Sequence, residues 1–218
     1  MSRIQHDASQ IAMHKSLVYA LFVQLYEYPQ ETLFQSLVED DLLERFKQSV
    51  LALDEAAASA AIWALDFGVM SLSQLQNDYT RLFDVGTTGR PPCPLLGGSY
   101  AGSARMRTME ECLRFYNHFG LKLNQEMKAM PDQLGTELEF LHFLSHQQAE
   151  LLQNKQPADA YLGAERDFLT RELLFWIPKM NLQLGKIQGA TFYQSLSLVL
   201  ESFCNSVVNH TAIRGIMN

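Results

Sequence analysis

A chain of 218 residues can bury roughly 70% of its unfolded surface in one packed core, so it needs neither disulfides nor a structural metal to hold it together. Its 47% hydrophobic and 19% charged residues exclude the composition of a disordered chain. A net charge of −7 speaks against nucleic acid, whose binders carry a basic face to replace counterions on phosphate.

Between Ser9 and Tyr28, the residues Ile11, Val18, Leu21, Phe22, Leu25 and Tyr28 recur at three- and four-residue steps, and Pro29 then stops the pattern. That spacing predicts an amphipathic helix. Leu33, Leu37, Leu43, Phe46 and Val50 carry helical periodicity through residues 31–53, and the alanine-rich DEAAASAAIWALDFGV that follows has strong intrinsic helix preference. Another helix is predicted from Leu72 to Phe83. The pattern breaks at residues 84–102, where the stretch from Gly86 to Gly102 holds five of the twelve glycines and three of the seven prolines. Met106, Met109, Leu113 and Tyr116 share one face of the next helix, and Gly120 suits the left-handed position just past its end. Leu134, Leu138, Leu141 and Leu144 form a stripe after Asp132. Helices are also predicted over 159–184, with a kink at Pro178, and over 190–208. No alternating strand and no repeat stands out.

The expected architecture is therefore an all-α bundle, a single helical domain over residues 1–218, with any subdivision falling near the 84–102 loop. A loop longer than about 12 residues without secondary structure of its own is uncommon in a compact domain and is often functional. Cys93, Cys112 and Cys204 are odd in number and form no C-x-x-C pair, which fits a reducing cytoplasm. The N-terminus MSRIQHDASQ lacks the apolar region of a secretory signal, and no apolar run reaches the roughly 18 residues of a membrane span. Cytoplasmic localisation without membrane insertion is expected.

Signals for chemistry are thin. Gly86, Gly89 and Arg90 suggest a phosphate cradle, but the lysine and hydroxyl of a P-loop do not follow. Glu139 and His142 match the E-x-x-H half-motif of di-iron bundles, yet no other histidine has a glutamate three residues earlier. His142 and His146 stand one turn apart and are of a type that can share a metal. Cys93 sits in PPCP with no local base to activate it, and no G-x-S-x-G elbow exists. No catalytic residue, metal or cofactor is expected, and a binding surface remains.

The order DYTRLF, GRPPCPLLGGSY, RFYNHFGL and MPDQLGTELEFLHFL, followed by ERDFLTRELLFWIPKM and FYQSLSLVL, resembles the TorD/DmsD/NarJ family of maturation chaperones for molybdenum-containing redox enzymes. The resemblance covers residues 15–205. It implies an all-helical fold and a chaperone that binds the twin-arginine signal peptide or N-terminus of a catalytic subunit until cofactor insertion is complete. Carried onto this chain, the peptide-contacting residues are Tyr79, Leu82, Phe83, Pro92, Cys93, Tyr100, Asp132 and Gln133. Leu96 adds apolar surface near that site, and Asp132 and Glu137 are the expected acidic partners for peptide arginines. Asp132 is equally suited to cap the helix that follows it. Family members often carry tryptophan in place of Cys93 and histidine in place of Gln133. The implied partner is a molybdoenzyme catalytic subunit, with this chain a monomer or homodimer. Two alternatives stand beside this reading: a helical metal protein or enzyme using His142 and His146, and a nucleotide-binding switch using the Gly86 to Gly102 loop.

Overall fold

The computed structural model describes residues 8–38, 42–53, 71–85, 89–123 and 129–216. The alanine-rich stretch 54–69, His6 and Gly86 lie outside those residues.

The first helix, α1 (Ala8–Leu25), buries Ala12, Lys15, Tyr19, Phe22 and Leu25 along one side at three- and four-residue steps. It is followed by α2 (Glu31–Val38) and α3 (Leu42–Leu53), whose Phe46 meets Phe22 edge to face at 4.9 Å. The next helix, α4 (Leu72–Tyr79), begins with a capping box. The Ser71 hydroxyl accepts from the Gln74 amide, and the Gln74 side chain accepts from the Ser71 amide at 2.8 Å. Instead of continuing to Phe83 as an α-helix, the chain widens into a π turn over Thr80–Asp84, closed by the Val85 amide on the Thr80 carbonyl.

Helix α5 (Arg105–His118) ends as predicted at Gly120, whose φ of 72° allows the Leu121 amide to reach the Tyr116 carbonyl and its own amide to reach Asn117. Helix α6 (Leu134–Gln153) is the central element. The predicted 159–184 helix is α7 (Asp159–Phe168), a second π turn at Leu169–Leu173, and α8 (Leu174–Leu184). Its irregularity thus lies one turn before Pro178. Helix α9 (Thr191–Ile216) follows. The described residues contain no strand, only an isolated antiparallel bridge between Leu96 and Gln133. The all-α expectation holds.

The tightest helix pair is α1 against α6, running antiparallel. Lys15, near the start of α1, meets Gln148, near the end of α6, at 3.0 Å, and Ser16 meets His142 at 2.9 Å. Glu165 of α7 completes this buried junction. It pairs with Lys15 and accepts from Ser145 at 2.8 Å, Gln148 at 2.9 Å and Tyr19 at 3.3 Å. Both Glu165 oxygens are thus engaged, Oε2 by Lys15 and Gln148 and Oε1 by Ser145 and Tyr19, which is what a buried charge requires.

Candidate functional site

The glycine- and proline-rich loop is pinned to the protein's own interior. The Cys93 amide donates to the Leu82 carbonyl at 3.0 Å, and the Leu134 amide donates to Leu95. The Gly97 amide donates to the Asp132 carbonyl at 2.8 Å, and the Gly98 amide donates to its carboxylate at 2.8 Å. Gly97 and Gly98 are required by closeness. A Cβ on Gly97 would stand 3.0 Å from Trp176 Nε1, and one on Gly98 would stand 2.8 Å from Asp132 Oδ2. Trp176 itself donates to Glu137 Oε2 at 3.0 Å and carries Tyr100 stacked on its ring at 5.4 Å.

This geometry sorts the residues expected to touch a peptide. Leu82, Cys93, Asp132 and Glu137 are fully buried, and Phe83 is nearly so. Asp132 and Glu137 are therefore not an acidic surface for exposed ion pairs, because both carboxylates face inward on loop and tryptophan donors. Burial pushes the Glu137 carboxyl well above the usual range, the Trp176 hydrogen bond opposing it. Burial also pushes the Cys93 thiol up to about 11, which argues against a nucleophile. The cap of α6 is Gln133 rather than Asp132, and it makes no side-chain cap bond. Leu96 and Tyr100 are half-buried, and Pro92 is exposed. Of the expected set, Tyr79 and Gln133 line a cavity.

That cavity, of about 760 Å³, is lined by the end of α1 and the beginning of α6. Residues of the turn after α1, Tyr26 to Tyr28 and Gln30, and of the segment before α6, Ala129 and Gln133, form its walls. Tyr26 and Tyr28 follow α1 on one side, and Leu121, Lys122 and Leu123 stand on the other. Tyr79 meets Tyr28 at 5.5 Å and donates to the Tyr26 carbonyl at 3.1 Å. Gly135, Thr136, Phe140 and Phe143 supply the face of α6.

Two carboxylates line the groove, Glu27 and Glu139, both on exposed residues and neither in an ion pair among the described residues. Partial burial raises the Glu139 carboxyl, and the nearby Glu27 charge adds to the rise. A cation seated between them would relieve that repulsion. The groove therefore suits an apolar or aromatic side chain next to a positive one. Neither Glu27 nor the α1 turn carries a sequence signal of function. Glu139 shows only as half of a metal motif.

The His142 and His146 rings are 6.2 Å apart, with His142 Nδ1 already turned to Ser16. Among the described residues no group of three or more His, Cys, Asp or Glu gathers as a metal site, and no helix is long and apolar enough to cross a membrane.

Residues 39–181, more than half of the chain, match the family model described as the nitrate reductase delta subunit. The chain belongs to this family. Among its relatives is the chlorate reductase assembly chaperone protein of Ideonella dechloratans, 28% identical over 166 residues, covering 76% of this chain and 74% of that protein. The selenate reductase assembly chaperone protein of Thauera selenatis is 32% identical over 116 residues, 53% of this chain and 60% of the relative. The chaperone protein TorD of Vibrio parahaemolyticus is 26% identical over 132 residues, 60% of this chain and 61% of the relative. The expected TorD/DmsD/NarJ membership is thereby borne out. These family members are named as chaperones and not as catalysts, in keeping with a non-enzymatic protein.

Proposed function

We propose that this protein is a cytoplasmic maturation chaperone for a molybdenum-containing oxidoreductase. It binds the twin-arginine leader or N-terminal segment of the catalytic subunit and holds it until cofactor insertion and assembly are complete. The observation that supports this ligand is the groove between α1 and α6, aromatic within and lined by Glu27 and Glu139. Tyr79 and Gln133 touch the peptide. Leu82, Phe83, Cys93, Leu96, Tyr100, Asp132 and Glu137 act indirectly by fixing the loop that frames them, with Pro92 exposed on it.

Two forces compete in such a groove. An exposed ion pair contributes about 0–1 kcal/mol, whereas burying one leucine-sized side chain contributes roughly 1.5–3 kcal/mol. Apolar burial dominates the affinity, and the carboxylates select for arginine. Calorimetry with three versions of the leader tests this: native, arginine pair changed to glutamine, and two apolar-segment leucines changed to serine. The serine version loses more affinity, and Glu139→Gln weakens only the native peptide's salt-dependent part. An arginine loss that exceeds the leucine loss would overturn the mainly apolar groove.

A further inference from the structure

The groove's preferred ligand chemistry also exists on the surface of this same chain. Arg105, Met106 and Arg107 are consecutive exposed residues at the start of α5, with Met106 67% exposed. At 100° per residue on a helix, the methionine stands in the middle of this face with an arginine on each side. R-x-R occurs nowhere else in the sequence. Neither arginine makes an ion pair among the described residues.

Helix stability at the start of α5 does not account for these residues, although the Arg105 stem lies against Gly98 and the Arg107 charge bears on Glu172. The first turn of α5 has no acidic residue, and its cap Ala104 makes no side-chain bond, so both arginines oppose the helix dipole. Such a conflict between local preference and sequence is what a binding surface leaves behind. An apolar side chain between two cations, on a protein of net charge −7 whose groove carries two unpaired carboxylates against the single lysine Lys122, is complementary to that groove. Methionine is unbranched and adapts to irregular apolar cavities.

We infer that the groove accepts the Arg105–Met106–Arg107 turn of a second copy of this chain, so that the protein occupies its own site until a leader displaces it. This rests on the reading of the groove given under the proposed function. The contact is made between molecules. Tyr116, at the other end of the rigid α5, already lines the groove, ten residues from Met106 and so about 15 Å along the helix. Self-association then competes with client binding for the same surface and lowers the affinity seen at high protein concentration.

Sedimentation velocity on the full chain tests this with two charge-reversed variants, R105E/R107E and E27K/E139K, and with Met106→Glu as a third that alters only an exposed side chain. The wild type associates as its concentration rises, while each variant alone associates at least about tenfold more weakly. In an equimolar mixture of the two charge-reversed variants, the intact groove of R105E/R107E meets the intact turn of E27K/E139K and a heterodimer forms. A synthetic leader with an arginine pair beside an apolar segment dissociates the wild type and binds R105E/R107E at least as tightly. The inference is overturned if the wild type stays monomeric, if Met106→Glu associates as the wild type does, or if the mixture forms no heterodimer. A leader that still binds the groove of a monomeric wild type would sink this inference alone and leave the proposed function standing.

Discussion

Gly135, at the second residue of α6, is a different kind of glycine from those of the loop. A Cβ added there meets nothing within 4 Å, and Gly135 itself lines the groove. Gly135→Leu replaces the poorest common helix former with one of the best, worth up to about 1 kcal/mol, and fills the cavity with an apolar side chain. The expected outcome is an unchanged or raised melting temperature with leader binding lost, measured by calorimetry; unchanged affinity would move the site elsewhere. Glu172 makes a second residue-scale prediction. It is only 5% exposed on the π turn before α8, and burial raises its carboxyl to about 7, with Glu111 adding to the rise and Arg171 and Arg107 opposing it. The unfolded chain releases this proton near the ordinary 4.5 and the folded chain keeps it until about 7. Between those values the native state binds more protons, so stability falls as pH rises and then levels off. Glu172→Gln removes that slope. Urea midpoints taken between about pH 5 and 8 therefore show the wild type losing ground to the variant up to neutrality and no further.

At the scale of elements, helix ends follow two identical endings with different residues. The end of α5 uses Gly120, and the end of α6 uses Lys155 at φ 56°, with the Gln156 amide on the Leu151 carbonyl at 2.8 Å and the Lys155 amide on Leu152 at 3.0 Å. A lysine pays a steric cost in that left-handed conformation that glycine does not. Lys155→Gly should stabilise the protein by about 1 kcal/mol in denaturant titrations; a loss of stability would mean that the lysine side chain has a role there. Sequence reveals the first ending because glycine marks it and hides the second because lysine does not. The π turns at Thr80–Asp84 and Leu169–Leu173 are hidden for a related reason. Their residues have ordinary helical preferences, and only packing selects the wider turn. The loop at 84–102 is visible as a special segment, although its Gly97 and Gly98 serve approach to Trp176 and Asp132. The groove is not visible, because Glu27 and Tyr28 lie more than a hundred positions from Glu139 and Phe143, and each alone resembles an ordinary helix-flanking residue.

For the whole molecule, the decisive junction is the buried meeting of α1, α6 and α7 at Lys15, Gln148 and Glu165. Lys15→Met leaves Glu165 as an unpaired buried charge, and breaking a pair in this way costs about 3–5 kcal/mol. Urea unfolding should show that loss, and the double variant Lys15→Met with Glu165→Leu should recover much of it; a single variant as stable as the wild type would refute the junction's importance. The same junction sets a schedule for biosynthesis. The α1 side chains in and beside it lie 126 to 150 positions from their partners on α6 and α7, so α1 leaves the ribosome long before those surfaces exist. At about 5–20 residues per second, the wait lasts roughly 6–30 s. During it the side of α1 that α6 and α7 will cover, with Lys15 and Tyr19, lacks its native partners, and of the apolar residues Phe22 can meet Phe46 of α3 early. A newborn copy therefore presents an unfinished N-terminal helix to the cell, the same kind of segment that mature copies are proposed to shelter.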